Sequence, residues 1–95
     1  MQDSTTITRA TARICNRKGL HARAAAKLVK TASDYEARVT ITHHHQSAGA
    51  TSILSLLMLA AEMGVELEVC AEGAQAVEAS AAIVSLIERR FDEAE

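Results

Sequence analysis

Alternation of apolar and polar residues in four short segments restricts the fold of this chain more than any other feature. The clearest case is VELEVCA at 65–71, where every second residue is apolar and acidic residues or cysteine stand between them. TITRATARIC at 6–15 and EARVTIT at 36–42 show the same period of two, and a further short strand is predicted at 46–48. A strand with one apolar face packs on a core with that face only. The pattern therefore predicts one sheet that is covered on a single face.

Three other segments are predicted to be helices: the first and third have the residue spacing of amphipathic helices, and the second is apolar on almost all faces and helical in length. The first helix is predicted from Ala22 to about Ala32. The second is SILSLLMLAAEMG at 52–64, which ends at Gly64, a residue suited to the left-handed position after a helix. The third begins at Ala74 and runs to the acidic C-terminal residues. Its predicted core positions are Val77, Ala81, Val84, Ile87 and Phe91.

The predicted elements follow the order strand, helix, strand, strand, helix, strand, helix. Because every strand keeps one polar face, all helices are expected on the other face of the sheet. A chain of 95 residues closes one core but is too short for a second. The sequence therefore predicts an α+β fold, an open-faced sandwich that forms a single domain over residues 1–95.

The composition disfavours several classes of protein. Aromatic residues make up 2% of the chain, so it lacks the exposed rings on which nucleic-acid binders stack bases. No apolar run approaches the roughly 20 residues of a membrane span. The N-terminal MQDSTTIT lacks the order of a signal peptide. We therefore expect a cytoplasmic protein that binds neither nucleic acid nor membrane.

Cysteine and histidine residues occur in patterns that do not fit a metal site. Cys15 and Cys70 lack the CxxC spacing of zinc ligands, so two reduced thiols are expected. His43, His44 and His45 are consecutive, and consecutive side chains point in different directions, which hinders shared coordination of one ion. We predict that these histidines form the turn of a hairpin and that the protein has no metal site.

Charge is distributed unevenly along the chain. NRKGLHARAAAKLVK at 16–30 contains five basic side chains and no acidic one, whereas residues 62–95 contain nine acidic residues and two arginines. The basic side chains are Arg17, Lys18, Arg23, Lys27 and Lys30. The net charge of −2 therefore combines a basic region with an acidic end.

The one histidine in this basic region, His21, is predicted at the N-cap of the first helix. The first backbone N–H groups of a helix lack intrahelical acceptors and favour a phosphate-sized anion, which Arg23 could also contact. The positive field disfavours protonation of the imidazole and leaves a nitrogen lone pair free as a nucleophile. The pattern suits a histidine that accepts a phosphoryl group. The alternative is a surface histidine among basic residues that serve solubility.

GLHAR at 19–23, TSILSLLMLAAEMG at 51–64 and the order of elements resemble the HPr family, the histidine-containing phosphocarriers of the phosphoenolpyruvate-dependent phosphotransferase system. The resemblance implies the sheet order 1-4-2-3. It implies that His21 receives phosphate from phosphoenolpyruvate through enzyme I and passes it to an enzyme IIA-type domain, with Arg23 steadying the phosphate. A monomeric carrier without a cofactor is expected rather than an enzyme, since the sequence shows no second acid–base group beside His21.

Ser52 is predicted at the N-cap of the second helix, where a hydroxyl ordinarily accepts a backbone N–H. In the family the matching serine can be a regulatory site for a serine kinase/phosphorylase, and a phosphate there would add roughly −2 of charge. Thr51 stands where a lysine often precedes that serine, and Ala24 where proline is common. The regulatory site and the plain cap both stay open.

Partner docking is expected beside the histidine. The second helix is apolar on faces that one sheet cannot cover, which predicts outward positions for Ile53, Leu54 and Leu57, whereas Leu56 and Leu59 are predicted in the core. The other residues assigned to docking are Arg17, Lys18, Ala24 and Lys27. A regulatory docking module of the same fold, controlled at His21 or Ser52, is the alternative function. The sequence does not distinguish a sugar-uptake carrier from a nitrogen-type regulatory one.

Overall fold

The structure is a computed structural model and describes residues 6–95. Residues 1–5, which belong to the predicted domain, lie outside the described residues. The predicted order of elements is confirmed. The elements are β1 (Thr6–Arg13), α1 (Ala22–Ser33), β2 (Arg38–His43), β3 (Gln46–Gly49), α2 (Ile53–Leu57), β4 (Glu66–Gly73) and α3 (Ala76–Glu88), followed by a short 3₁₀ turn (Arg90–Asp92).

The sheet has the order β1-β4-β2-β3 with antiparallel neighbours, which confirms the predicted order. In the central strand β4, Val69 pairs with Ala10 of β1 on one side and with Ile41 of β2 on the other. Leu67, Val69 and Ala71 are fully buried, whereas Glu68 between them is exposed and Cys70 is half-buried. The alternation in VELEVCA therefore corresponds to a sheet with one covered face, as predicted.

The core between sheet and helices consists mainly of small and aliphatic side chains. Ala24, Ala25 and Leu28 of α1 are fully buried, and α3 contributes a second buried face. Alanine at these positions lets the helices approach the sheet closely. Close approach is needed because the core has one buried aromatic ring among residues 6–95, so few bulky side chains fill the space between sheet and helices. Leu56 and Leu59 are buried, as predicted.

The second helix is shorter than predicted, because α2 ends at Leu57 and not at Gly64. The backbone after it bonds to distant segments instead of continuing the helix. The carbonyl of Ala61 accepts from Leu20 N at 2.9 Å, and Gly64 N donates to the carbonyl of Ile14 at 2.7 Å. Ala60 takes a left-handed conformation shortly after the helix, with φ of 53°, and Gly64 also has a positive φ, of 93°. These long-range hydrogen bonds explain why helical spacing alone overestimates α2.

The predicted core face of α3 is wrong at two positions. Val77 is 59% exposed and Ala81 is also exposed, while the buried stripe lies one position away. That stripe consists of Ala76, Ala79, Ser80, Ile83, Leu86 and Ile87. Because α3 is rich in alanine on several faces, its sequence offers two apolar stripes and does not by itself choose between them.

The helix α3 also ends earlier than predicted, at Glu88. Arg90, Phe91 and Asp92 have φ of 65°, 53° and 64°, so three consecutive residues take the left-handed conformation and reverse the chain. Phe91 is fully buried, as predicted, although it reaches the core from this turn and not from the helix. Residues 92–95, called the C-terminal tail below, are thereby directed toward the start of α1.

Candidate functional site

The loop before α1 is held against the loop before β4 by a close backbone approach. Gly19 has φ of +69°, and a Cβ atom there would lie 2.6 Å from the carbonyl oxygen of Ala61. Only glycine fits this conformation and this distance. Leu20, which follows, is buried and donates its N–H to the same carbonyl. The position of the next residue, His21, is therefore fixed by the packing of two loops.

His21 is the N-cap residue of α1, as predicted. Its backbone is extended, with φ of −86° and ψ of −178°, and its carbonyl accepts from Ala25 N at 2.8 Å. Its side chain makes no capping hydrogen bond. The side chain thus leaves the first N–H groups of α1 available to another acceptor, and N–H groups at a helix start favour an anion.

The imidazole of His21 instead contacts the C-terminal tail. Its Nε2 atom hydrogen-bonds to Oε2 of Glu93, and the two side chains are 24% and 14% exposed. The other carboxylate oxygen of Glu93 accepts from Nδ2 of Asn16 at 3.0 Å. The prediction that no second acid–base group accompanies His21 is therefore wrong. Sequence patterns do not reveal Glu93, because it lies 72 residues from His21 in the chain.

Asn16 connects the loop before α1 to the tail. It is fully buried, and its Nδ2 atom donates both to Glu93 and to the carbonyl of Gly19, at 2.8 Å. A buried amide is expected to make such bonds, because an unpaired buried polar group costs free energy. Asn16 therefore fixes the Glu93 carboxylate relative to the residues that carry His21.

The charge of Glu93 depends on opposing effects. Burial by itself raises the pKa of this carboxyl, but hydrogen bonds from His21 and Asn16, together with attraction to His21 and Lys18, lower the pKa below its ordinary value of 4.5. Glu93 is therefore ionised at neutral pH. A negative charge lies beside His21, where the sequence predicts only positive ones.

Four of the predicted basic side chains meet at this place. We call Arg17, Lys18, Arg23 and Lys27 the basic cluster; together with residues 92–95 they line a cavity of about 340 Å³. Arg17 pairs with the side chain of Glu95 at 3.0 Å, and Nζ of Lys27 donates to the carbonyl of Phe91 at 2.7 Å. The guanidinium of Arg23 is exposed and makes no hydrogen bond with any of residues 6–95. Arg23 is thus available to an external anion.

The assignment of Ala24 to partner docking is wrong. Its side chain is fully buried, on the same face of α1 as Ala25 and Leu28. Ala24 lies on the face of α1 that packs against the sheet, so its side chain cannot contact a partner protein. Arg17, Lys18 and the half-buried Lys27 remain at the surface.

A second surface feature lies at α2. Ser52 is the N-cap, as predicted, and its Oγ accepts from Ser55 N at 3.1 Å. Ile53 and Leu54 are exposed, whereas Leu57 is half-buried. We call Ile53, Leu54 and Leu57 the apolar patch. Met58, 70% exposed at the end of the helix, extends the apolar surface and is not identified by the sequence patterns.

His44 and His45 form the β2–β3 turn, as predicted, whereas His43 lies in the strand before it. His43 is the last residue of β2, and its Nδ1 atom hydrogen-bonds to the carbonyl of Leu59 at 3.0 Å. Across residues 6–95 the structure groups no three metal-ligating side chains in a possible metal site. Within the same range no helix is long and apolar enough to cross a membrane.

Comparison with known proteins places this site in context. A family model described as the PTS HPr component phosphorylation site matches residues 8–89. The chain is 46% identical to the phosphocarrier protein NPr of Shewanella violacea, over 85% of this chain and 89% of that protein. It is also 46% identical to the phosphocarrier protein HPr of Pseudomonas aeruginosa, over 86% and 92% of the two chains.

Solved structures show the same architecture. The crystal structure of HPr-C-His from Thermoanaerobacter tengcongensis matches with a TM-score of 0.87 and 35% identity, over 93% of this chain and 99% of that one. A phosphocarrier protein HPr from Bacillus anthracis matches with a TM-score of 0.82 and 27% identity, over 86% and 98% of the two chains.

Proposed function

The chain belongs to the HPr family of phosphotransferase-system phosphocarriers, and on that premise we propose that it carries a phosphoryl group on His21. The group would come from phosphoenolpyruvate through enzyme I and pass to an enzyme IIA-type domain, in the cytoplasm. The observation that carries this proposal is the position of His21 at a helix start whose N–H groups its own side chain does not cap, beside the basic cluster.

The contacts of the ring support Nδ1 as the acceptor atom. Nε2 of His21 is engaged by Glu93, and none of the hydrogen bonds of residues 6–95 involves Nδ1 of His21. The Nδ1 lone pair attacks phosphorus, and the electron pair of the bond to the donor leaves with the donor atom. The transferred oxygens would then meet the N–H groups of α1 and the guanidinium of Arg23.

The protein acts as a covalent intermediate in this proposal and not as a catalyst. Each transfer consumes the lone pair of His21 and the next restores it, so turnover requires two partner proteins. Enzyme I and the IIA-type domain would dock on the apolar patch and on the surface side chains of Arg17, Lys18 and Lys27. Exposed apolar side chains of this kind are typical of a transient interface.

A regulatory function at Ser52 is the second candidate. Its hydroxyl is at the start of α2, next to Ile53 of the apolar patch. A phosphate on Oγ would replace the hydrogen bond to Ser55 with a stronger negative acceptor and would place about two negative charges beside an apolar docking face. Docking of partners would then be weakened without any change at His21.

Intact-protein mass spectrometry after incubation with phosphoenolpyruvate and a generic enzyme I tests the carrier function. The wild type should gain one acid-labile, base-stable phosphate, and His21→Ala should gain none. His45→Ala is the matched control, because it removes an imidazole from the exposed β2–β3 turn and should leave incorporation unchanged. Equal phosphate on the wild type and on His21→Ala would refute His21 as the acceptor.

A further inference from the structure

The C-terminal tail is anchored on both sides of Glu93. Before it, the buried ring of Phe91 and the bond from Lys27 to the Phe91 carbonyl hold the left-handed turn in place. After it, the carbonyl of Glu95 accepts from the backbone N–H of Arg17. Left-handed conformation at consecutive non-glycine residues is unfavourable and persists only where the surrounding structure imposes it. The fold therefore places Glu93 at His21 rather than leaving it there by chance.

The carboxylate of Glu93 is also oriented. One oxygen accepts from the buried amide of Asn16, and the other faces Nε2 of His21. Because Asn16 is itself bonded to the Gly19 carbonyl, the tail and the loop that carries His21 form one hydrogen-bonded unit. An ionised carboxylate has only acceptor sites, so the ring nitrogen that faces it must carry a proton.

We propose that Glu93 is a positioning residue, which holds the proton of His21 on Nε2 and thereby keeps the Nδ1 lone pair directed at the incoming phosphoryl group. This role for Glu93 rests on the proposed function of His21. In a neutral imidazole the hydrogen bond of one nitrogen sets the protonation of the other. The tail thus selects the reactive tautomer before any partner arrives.

The contact also suits both directions of transfer. When Nδ1 forms its bond to phosphorus, the ring becomes a phosphoimidazolium whose positive charge lies beside Glu93. When the bond to phosphorus breaks, its electron pair returns to Nδ1 and the proton stays on Nε2. No proton has to leave or enter the ring in either step. The phosphoryl group would be bonded to Nδ1, whereas Glu93 contacts Nε2.

The tautomer can be measured without any partner protein. A ¹H–¹⁵N correlation spectrum of the histidine rings distinguishes a protonated from an unprotonated Nδ1 by its ¹⁵N shift. At a pH where the ring is neutral, His21 of the wild type should show Nδ1 without a proton, and Glu93→Ala should show a mixture of tautomers. Glu93→Gln keeps an oxygen acceptor and should retain much of the wild-type pattern. Identical His21 ring spectra in the wild type and Glu93→Ala would overturn the proposal.

Phosphoryl transfer gives the second readout. In metal sites, loss of the group that hydrogen-bonds to the second ring nitrogen of a metal-bound histidine lowers metal affinity or activity by about 10- to 100-fold. We expect about tenfold slower loading from phospho-enzyme I for Glu93→Ala, and a smaller loss for Glu93→Gln. Glu88→Gln is the matched control, since it removes the same charge from an exposed position at the end of α3. It should load at the wild-type rate.

The possible outcomes separate the two proposals. If Glu93→Ala loads faster than the wild type, the tail obstructs the site and the positioning role is wrong. If Glu93→Ala loads as fast as the wild type, Glu93 has no role in the transfer, although His21 can still be the acceptor. If His21→Ala retains the phosphate, the proposed function itself fails, whatever the ring spectra show.

Discussion

The starts of α1 and α2 differ in whether the side chain of the cap residue accepts a hydrogen bond from the first turn of the helix. Ser52 caps α2 with its own hydroxyl, whereas the side chain of His21 makes no such bond and pairs with Glu93 instead. At α2 the capping is internal and local, within three residues. At α1 the cap residue is held by a tail from the other end of the chain. The start of α2 is thus stabilised by its own cap residue, whereas the side chain of the α1 cap residue leaves the first N–H groups of that helix without a capping bond.

Phe91→Ala should have the largest effect, because it removes the buried side chain that anchors the tail near α1. Truncation of a fully buried phenylalanine costs about 3–5 kcal/mol of unfolding free energy. Denaturant unfolding measures it. Val77→Ala is the control, since Val77 is exposed on α3 and should change stability by no more than about 0.5 kcal/mol. Equal losses in the two variants would mean that the tail is not anchored by Phe91.

Ser52→Ala should have an intermediate effect and tests the local cap of α2. Loss of an N-cap hydroxyl costs about 1 kcal/mol, since one N–H of the first turn loses its acceptor. Ser55→Ala keeps both atoms of that hydrogen bond, because Ser55 contributes its backbone N–H. Thermal unfolding of the two variants compares them. If Ser55→Ala is as destabilising as Ser52→Ala, the cap is not the source of the loss.

The pH dependence of the tail contact should be the smallest effect. Because the pKa of Glu93 is lowered in the folded protein, its contact contributes stability above pH 4.5, and this contribution is lost as the pH falls through the lower folded value. The difference in unfolding free energy between the wild type and Glu93→Gln should therefore shrink below pH 4.5. It should stay below the cost of Ser52→Ala, because burial of the carboxylate opposes its hydrogen bonds. A difference that grows in acid would contradict the lowered pKa.

Local patterns predicted the strands well. In β4 the alternation alone identifies Leu67, Val69 and Ala71 as buried, because a strand with one solvent-exposed face has its apolar residues at every second position. The same kind of local information places His21 and Ser52 at helix starts. It fails in α3, where alanine on several faces makes Val77 and Ala76 equally plausible core positions.

The contact between His21 and Glu93 was beyond sequence patterns. It depends on a left-handed turn at three residues, none of them glycine, and on a buried amide 77 residues away from Glu93. Neither has a short-range signature. The early end of α2 has the same origin. The backbone that follows the helix bonds to Leu20 and Ile14, which lie far away in the chain.

The sequence by itself determined the alternating strands, the order of elements and a histidine in a basic segment at a helix start. Each follows from periodicity or from capping, which act over a few residues. Tertiary structure decided which face of α3 is buried, where α2 ends and which charge faces His21. These depend on packing and hydrogen bonds between segments far apart in the chain, and only the closed fold brings Asn16, His21 and Glu93 together.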